Sequence, residues 1–203
     1  MNYDLENSPR GYAYKLLVGL VAPRPIALIT SMDEEGRLNA APFSAYNYLC
    51  TDPPIIGVGV TNRSSETFVP KDTARNIRRT GEFVVNIVSD EIAAQANETS
   101  AEVPPEVDEF VLSGLTPVAS EVVRAPRVAE SPAQMECKLL QIVYTSRKPA
   151  GGVVVIGEVV RFHVREDLFE DFRIDPAGLD AIGRMAGNTW VRTRERVEHI
   201  RPK

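Results

Sequence analysis

The chain has 203 residues, of which 43% are hydrophobic and 25% are charged, and its formal net charge at pH 7 is -5. This length fits one domain, residues 1–203, with enough chain to bury a substantial core. The acidic balance and the lack of any lysine or arginine block argue against a nucleic-acid-binding surface, because such surfaces cluster basic residues on one face.

The N-terminus and the cysteines exclude further classes of protein. Residues 1–6 lack a basic region followed by an apolar core, and no apolar run approaches the length of a membrane span. We therefore expect no membrane insertion and a cytoplasmic protein. Cys50 and Cys137 are far apart and fit neither a disulfide framework nor a zinc site. His163 and His199 cannot supply a metal cluster, so no metal site is expected and each histidine is predicted to be structural or solvated.

The first predicted element is a short amphipathic helix, because Leu16, Leu17 and Leu20 follow helical spacing. Residues 22–25, Ala-Pro-Arg-Pro, end this helix and are extended, since proline fixes its own torsion and restricts its predecessor. Arg24 is thereby mounted on a stiff segment. There it either binds an anion or pairs with a carboxylate.

A hairpin is predicted next. Residues 26–30 form an apolar strand, residues 33–36 form a turn, and residues 38–42 return as a second strand. Thr30 and Ser31 lie where the first strand ends.

Residues 43–48 alternate small hydroxyl, amide and aromatic side chains without any charge. A flat heteroaromatic ring favours such a surface, with apolar faces to lie on and hydrogen-bonding groups around its edge. The alternative is a half-buried strand in which Ser44 and Asn47 bond to backbone. Residues 55–60 follow as a strand with two glycines, which predicts the close approach of another backbone or of a ligand.

The stretch that follows is predicted to hold a phosphate. Asp72 or Thr73 caps the start of a short helix, and Gly81 suits its left-handed C-terminal cap. The first turn presents free N–H groups with partial positive charge, and Lys71, Thr73 and Asn76 are close enough in sequence to converge on one anion. The alternative is a solvated helix start with Lys71 extending into water.

One later strand is marked by its alternation. Between residues 134 and 139, Met135, Cys137 and Leu139 occupy one face, and polar residues that include Glu136 occupy the other. This pattern predicts a half-buried strand with Glu136 on its polar face.

The rest of the chain is also mainly β structure. Residues 82–88 and 153–164 are predicted strands, and a glycine-punctuated loop at residues 183–190 carries the only tryptophan, Trp190. Strands outnumber helices, which predicts a mainly β fold. Short helices are predicted at residues 91–96, 107–112 and 177–182.

The sequence has no nucleophile elbow, Walker loop, dinucleotide glycine fingerprint, paired-histidine metal motif or kinase motif. Candidate general bases are scattered without partners, so no catalytic side chain is assigned. A ligand site without acid–base machinery suggests that a bound cofactor carries the reactivity.

Several short runs of sequence occur in an order typical of one family. They are PRPIALIT at 23–30, NAAPFS at 39–44, DPP at 52–54, KDT at 71–73 with NI at 76–77, GEFVVN at 81–86, DEF at 108–110, ECK at 136–138, GEV at 157–159 and RMAG at 184–187. In this order they closely resemble the flavin reductase-like family, whose fold is the FMN-binding split barrel. The resemblance covers almost the whole chain.

The resemblance implies a Greek-key split β-barrel and a homodimer with FMN between the subunits. Lys71, Thr73 and Asn76 match the family segment that grips the FMN phosphate, and the loop from Arg63 to Ser65 is implied to assist them. Segments that line the isoalloxazine ring and ribityl chain in the family contain Thr30, Ser31, Ser44, Tyr46 and Asn47.

Two further residues complete the implied FMN site. Arg24 and Trp190 are expected to reach the cofactor, acting across the dimer interface. Where relatives commonly have glycine and tyrosine in the last loop, this chain has Ala186 and Trp190, which alters the substrate side of the site.

The implied activity is hydride acceptance by the flavin from NADH or NADPH, followed by electron delivery to a monooxygenase or another electron-accepting partner. The first alternative is a non-enzymatic FMN-binding protein that carries flavin or transfers electrons. The second is a split-barrel relative that binds haem or a deazaflavin.

Overall fold

A computed structural model of the chain describes residues 2–9, 11–62, 68–149 and 151–202. The predicted phosphate contacts Arg63 and Ser65 lie outside these residues. The strands are β1 (Arg24–Pro25), β2 (Ala27–Met32), β3 (Leu38–Phe43), β4 (Tyr46–Thr51), β5 (Pro54–Thr61), β6 (Glu82–Ile87), β7 (Pro117–Val118), β8 (Arg127–Val128), β9 (Ala133–Ser146), β10 (Gly152–Val164), β11 (Phe169–Glu170), β12 (Arg173–Ile174), β13 (Ile182–Arg184) and β14 (Trp190–Arg192). The helices are α1 (Tyr12–Leu20), α2 (Asp72–Thr80), α3 (Ala93–Glu98), α4 (Glu109–Ser113) and α5 (Pro176–Leu179), with a 3-10 turn at Glu166–Leu168.

A seven-stranded antiparallel sheet dominates the fold, with the order β3-β2-β6-β9-β10-β5-β4. The prediction of a mainly β fold is therefore confirmed. β9 and β10 form a long hairpin at its centre, and their register shifts between Ile156 and Gly157. A Cβ atom on Gly157 would lie 2.5 Å from Cζ of the buried Phe83, so glycine allows the strand to bend over that ring.

The sheet separates two hydrophobic clusters. Ile29 of β2 belongs to one cluster, and its neighbour Leu28 belongs to the other, because successive strand residues point to opposite faces. α2 covers the first cluster through Ile77, whereas Ile92, which precedes α3, and Phe110 of α4 pack in the second. The faces of the sheet are thus covered by different helices.

The ends of α2 agree only partly with the sequence. Gly81 adopts the expected left-handed conformation, with φ of 73°, at the C-terminal cap. The expected cap at Asp72 or Thr73 is wrong: Lys71 is the N-cap residue and makes no side-chain capping bond. Asp72 instead pairs with Arg75 at 2.5 Å, and Thr73 bonds to a neighbouring strand, so both side chains are engaged elsewhere.

Two segments near the C-terminus differ from the prediction. The helix predicted at residues 177–182 is shorter, and the loop predicted at residues 183–190 is more regular. Asp175 caps α5 by accepting N–H bonds from residues 177 and 178, and Asp180 ends the helix with φ of 42°. Ile182 is therefore in β13 and not in the helix. The predicted loop at residues 183–190 is part of a hairpin: residues 183–184 belong to β13, Trp190 begins β14, and residues 185–189 form the turn between them.

Glu136 was expected on the polar face of a half-buried strand, but it is 0% exposed. The reason is that residues 121–123 cover this face of β9 and bond to the carboxylate. His163 also contacts it, with 2.6 Å between Nε2 and Oε1, which confirms the structural role predicted for this histidine. Among the helices described above, none is long and apolar enough to cross a bilayer.

Candidate functional site

A cavity of about 700 Å³, called the main cavity below, lies between α1, the β4–β5 edge of the sheet and the turn after β13. Its walls combine aliphatic side chains with a small number of polar groups. The lining residues are Tyr14, Leu17, Val18, Val21, Pro23, Arg24, Pro25, Pro42, Phe43, Ser44, Ala45, Tyr46, Asn47, Leu49, Gly57, Gly59, Thr61, Lys71, Val154, Arg184, Met185 and Gly187.

The floor of the main cavity depends on the two glycines of β5. A Cβ atom on Gly57 would lie 2.8 Å from Cδ1 of Leu49, and one on Gly59 would lie 2.9 Å from Cβ of Ala45. The N–H of Gly59 donates to the carbonyl of Ala45 at 2.6 Å. The predicted close approach to this strand is therefore made by the Leu49 side chain at Gly57 and by Ala45, through its Cβ atom and its carbonyl, at Gly59.

Arg24 holds three walls of the main cavity together. Its Nη1 donates to the carbonyl of Val18 at 2.7 Å, and its Nη2 donates to the carbonyl of Met185 at 3.0 Å. Its Nε donates to Oγ of Ser44 at 3.3 Å, and Nη1 also donates to the carbonyl of Val21. The sequence predicted an anion or a carboxylate as the partner of Arg24, but most of its guanidinium hydrogen bonds go to backbone carbonyls.

Ser44, Tyr46 and Asn47 all line the main cavity, as their segment predicted. Burial raises the pKa of Tyr46 to about 12, so its phenol, which is already neutral at pH 7 at the ordinary tyrosine pKa of about 10, remains a hydrogen-bond donor to higher pH. Oδ1 of Asn47 accepts the N–H of Tyr48 at 2.9 Å, and residues 46–51 form an edge strand. The strand alternative is correct only in part, because residues 46–51 form a strand and Asn47 bonds to backbone, but Ser44 precedes the strand and accepts from the Arg24 side chain.

Lys71 lines the main cavity and also a smaller polar cavity of about 70 Å³. Within the described part of the chain, its ammonium has no carboxylate or hydrogen-bond partner. The small cavity is also lined by Asp72, Glu102 and Glu109, and burial raises the pKa of Glu109. An anion would be repelled there, so the main cavity is the favourable side of Lys71 for an anion.

Four of the predicted residues are buried away from the main cavity. Oγ1 of Thr73 accepts from Nδ2 of Asn39 at 3.1 Å and lines the small cavity. Nδ2 of Asn76 donates to Oγ of Ser31 at 3.4 Å, and Thr30 donates to the carbonyl of Pro126. Lys71, Thr73 and Asn76 therefore do not share one cavity, and a phosphate contact of the last two stays a prediction.

Trp190 packs against the second hydrophobic cluster and does not line the main cavity. The guanidinium of Arg184 lies 5.6 Å from the centre of its ring. Arg184, Met185 and Gly187 reach the cavity instead. The turn is therefore at the site, as expected, but through residues other than the tryptophan.

The sequence did not reveal the wall formed by α1. Tyr14, Leu17 and Val18 line the main cavity, although the sequence indicated only that this helix is amphipathic. The apolar spacing was the available signal, but it does not distinguish a helix that packs on the core from one that covers a ligand site. In the part of the chain with described coordinates, no cluster of His, Cys, Asp or Glu is arranged to hold a metal ion.

Comparison with known proteins supports these observations. The family model described as flavin reductase like domain matches residues 20–183. Nitrilotriacetate monooxygenase component B from Bacillus cereus is 39% identical, with a TM-score of 0.93 and 98% of each chain covered. The 2-nitrobenzoate 2-nitroreductase NbaA from Pseudomonas fluorescens is 32% identical, with a TM-score of 0.89 over 100% of this chain and 96% of that chain. A Shewanella frigidimarina protein with a split barrel domain is 25% identical, with a TM-score of 0.84 and 100% of both chains covered.

Proposed function

This chain belongs to the flavin reductase-like domain family, and from that premise we propose that it binds FMN in the main cavity and transfers electrons from NADH or NADPH through the flavin to an acceptor. The observation that carries the proposal is the ammonium of Lys71, unpartnered among the described residues, on a side chain that lines a large cavity with apolar and hydrogen-bonding walls. One end of this cavity suits a phosphate and the remainder suits a flat ring system.

The residues present fit FMN in size and chemistry. A volume of about 700 Å³ falls within the range of small-molecule sites. Leu17, Val21 and Phe43 supply apolar surface, whereas Ser44 and Asn47 supply polar groups for the edge of a ring. When bound, FMN supplies hydride acceptance and electron transfer.

Each side chain of the cavity has a separable task in this proposal. Lys71 binds the phosphate by charge, and Tyr46 donates a hydrogen bond from its neutral phenol. Arg24 is a positioning residue, because its bonds to Val18 and Met185 set the distance between the two walls. Since the flavin carries the redox chemistry, none of these side chains has to transfer a proton to substrate.

We propose a monooxygenase or another electron-accepting protein as the partner that receives the electrons. The B. cereus neighbour is named as a monooxygenase component, and the P. fluorescens neighbour is named as a nitroreductase. The shared fold thus serves acceptors of different kinds. A nitroaromatic compound is therefore the second acceptor class to assay.

An anaerobic mixing experiment tests the proposed activity. FMN-loaded protein mixed with NADH or NADPH is expected to lose its yellow absorbance within seconds, because reduction of the ring removes that absorption band. Stopped-flow spectroscopy at the visible maximum measures the rate, and free FMN without protein is the control. Protein that binds FMN tightly but is not bleached by either donor would instead be the non-enzymatic carrier considered above.

We also propose that the large sheet forms a Greek-key split barrel, that the chain is a single cytoplasmic domain, and that it is a homodimer. The dimer is supported by the apolar surface beside the main cavity, where Leu20 is 81% exposed and Tyr48 is 70% exposed. α1 and the edge strand β4 carry these side chains. Large apolar side chains exposed on neighbouring elements favour a protein–protein contact.

Light scattering after size-exclusion chromatography tests this interface. The wild-type protein is expected at the mass of two chains, and the double variant Leu20→Glu/Tyr48→Glu at the mass of one chain, because the charges would be desolvated in the interface. Val111→Glu, at an 81% exposed position on α4, is the matched control and should remain dimeric. A monomeric wild type at micromolar concentration would refute the proposal.

A further inference from the structure

A small hairpin near the C-terminus carries an exposed aromatic cluster, called the Phe172 knob below. Its strands are β11 and β12, in which Phe169 pairs with Ile174. Between the strands, Asp171 and Phe172 form a turn of two residues. The knob consists of the side chains of Phe169, Phe172 and Ile174.

The turn holds Phe172 in a conformation that aromatic residues rarely adopt. The φ angle is 48° at Asp171 and 59° at Phe172, and a two-residue turn of type I′ requires positive φ at both positions. Glycine, asparagine and aspartate are the usual residues there, because a larger side chain is crowded when φ is positive. Within its own subunit the ring gains little from this position, since Phe172 is 94% exposed.

The rest of the knob is also open to solvent and fixes the orientation of the ring. Phe169 is 50% exposed, and Ile174 is 39% exposed. The rings of Phe169 and Phe172 meet edge to face, with 6.1 Å between their centres and 85° between their planes. A rigid aromatic group at the end of a hairpin is the kind of side chain that anchors protein–protein contacts.

A second cavity, called the edge cavity below, is a matching receptor for this knob. Its volume is about 400 Å³, and it lies between β1, the edge strand β4 and the start of β13. Among the described residues that line it, Arg24 alone is charged, and backbone carbonyls accept most of its guanidinium hydrogen bonds. The edge cavity therefore favours an uncharged, apolar group. Its walls include Pro25, Ile26, Tyr48, Val88, Leu179 and Ile182.

The position of the edge cavity indicates that a second copy of this chain fills it. Phe172 does not enter the cavity of its own subunit, because its ring would then be covered. Tyr48, which lines the cavity, is 70% exposed and belongs to the surface that we propose for the dimer. Leu179 of α5 also lines the cavity and follows Ile174 of the knob by five residues, a reach of about 17 Å at most.

This closeness suits two-fold symmetry. In an isologous contact each subunit presents the same patch, so a knob and a cavity that lie side by side on one subunit meet the cavity and the knob of the other. Each dimer would then contain the contact twice. One short element thus contributes two anchors to the assembly.

We propose that the Phe172 knob of each subunit inserts into the edge cavity of its partner and anchors a two-fold homodimer. The inference rests on the homodimer of the proposed function and assigns the side chains that hold it together. Tyr46 and Asn47 line both the edge cavity and the main cavity. The knob of the partner therefore supports one wall of the main cavity from behind.

Sedimentation velocity over a dilution series tests the knob. Phe172→Gly is expected to raise the dissociation constant of the dimer by about 30-fold or more, because each dimer loses two aromatic anchors. Asp171→Gly is the matched control, since it changes the neighbouring position of the same turn and keeps the ring, so its dissociation constant should stay near that of the wild type. Glycine tolerates positive φ at either position, so both variants should fold as the wild type does, which circular dichroism checks.

Chemical cross-linking tests where the ring goes. In a Cys50→Ser background, chains with Phe172→Cys are mixed with chains with Leu179→Cys and treated with a short bis-maleimide. Cys137 is buried and should not react. We expect a covalent pair that contains one chain of each kind. Replacing the second chain by Val111→Cys, at an 81% exposed position on α4, is the control and should give no such pair.

The inference is overturned if Phe172→Gly dimerises as tightly as the wild type, or if position 172 cross-links to position 179 no better than to position 111. The proposed homodimer would then stand with a different anchor. Failure of the homodimer itself has a distinct signature, in which the wild type sediments as one chain at every concentration, and this result would overturn both proposals.

Discussion

Replacement of Glu136 by glutamine is expected to lower the free energy of unfolding at pH 7 by about 3 kcal/mol. The carboxylate is fully buried and accepts the N–H groups of Glu121, Val122 and Val123 at 2.6 to 2.9 Å. Glutamine has one acceptor oxygen and one donor group in their place. At least one buried N–H would therefore lose its partner, and the amide NH₂ would face a donor.

The same bonds give the stability of the wild type a specific dependence on pH. Burial alone would raise the pKa of Glu136, but the backbone bonds and His163 outweigh burial and lower it to about 2. A group with a depressed pKa in the folded state stabilises the fold above its unfolded pKa of about 4.3, and this contribution is lost as the pH falls toward 2. The Gln variant should lack this part of the acid dependence.

Urea unfolding at pH 7 and along a series down to pH 2 measures both effects. Glu121→Gln is the matched control, because its side chain makes an exposed ion pair with Arg161 and should change stability by less than about 1 kcal/mol. Equal unfolding midpoints for the wild type and Glu136→Gln at pH 7 would show that the carboxylate does not hold residues 121–123 in place.

Replacement of Lys71 by methionine is expected to weaken FMN binding by about 10- to 100-fold. Methionine keeps the length and apolar character of the side chain, so the change removes mainly the charge at the edge of the main cavity. The affinity lost corresponds to one charge-assisted contact with phosphate. Riboflavin, which has no phosphate, should bind the variant and the wild type with equal affinity.

Fluorescence quenching of FMN on titration with protein measures the dissociation constant. Lys138→Met is the control, because this exposed lysine on β9 lines none of the cavities described above. Variants of Thr73 are less informative, since its hydroxyl is buried against Asn39 and its loss would perturb packing. If the dissociation constant for FMN were unchanged in Lys71→Met, the phosphate would not be bound at this end of the cavity.

Local patterns in the sequence predicted most of the strands because their causes are local. Apolar runs and the turn at residues 33–36 indicated β2 and β3, and Gly81 correctly marked the end of α2. Glu136 was misplaced because alternation along one strand does not report a distant segment that folds over it. The sequence of residues 121–123, which cover Glu136, contains no pattern that predicts this contact.

The candidate site shows the same limit. Ser44, Tyr46, Asn47 and Lys71 line the main cavity, and all four stood out because their segments combine polar groups with special backbone positions. The sequence could not predict that α1 forms a wall of the main cavity, because this depends on the hydrogen bonds by which Arg24 holds the end of that helix over the sheet. Such contacts join residues through the tertiary structure and leave no periodicity to detect.

The sheet order has a consequence for how the chain matures as it is synthesised. β6 and β5 are linked within the sheet only through the hairpin of β9 and β10, which ends at residue 164. During translation, β3-β2-β6 and β4-β5 are both synthesised before that hairpin. Until β9 and β10 are available, each of these two groups of strands therefore has an unpaired edge. Such edges are templates for pairing with other chains, and closure through sequence-distant strands is slow. Nascent protein is therefore most vulnerable to aggregation, and most dependent on chaperones, until the last long strand has left the ribosome.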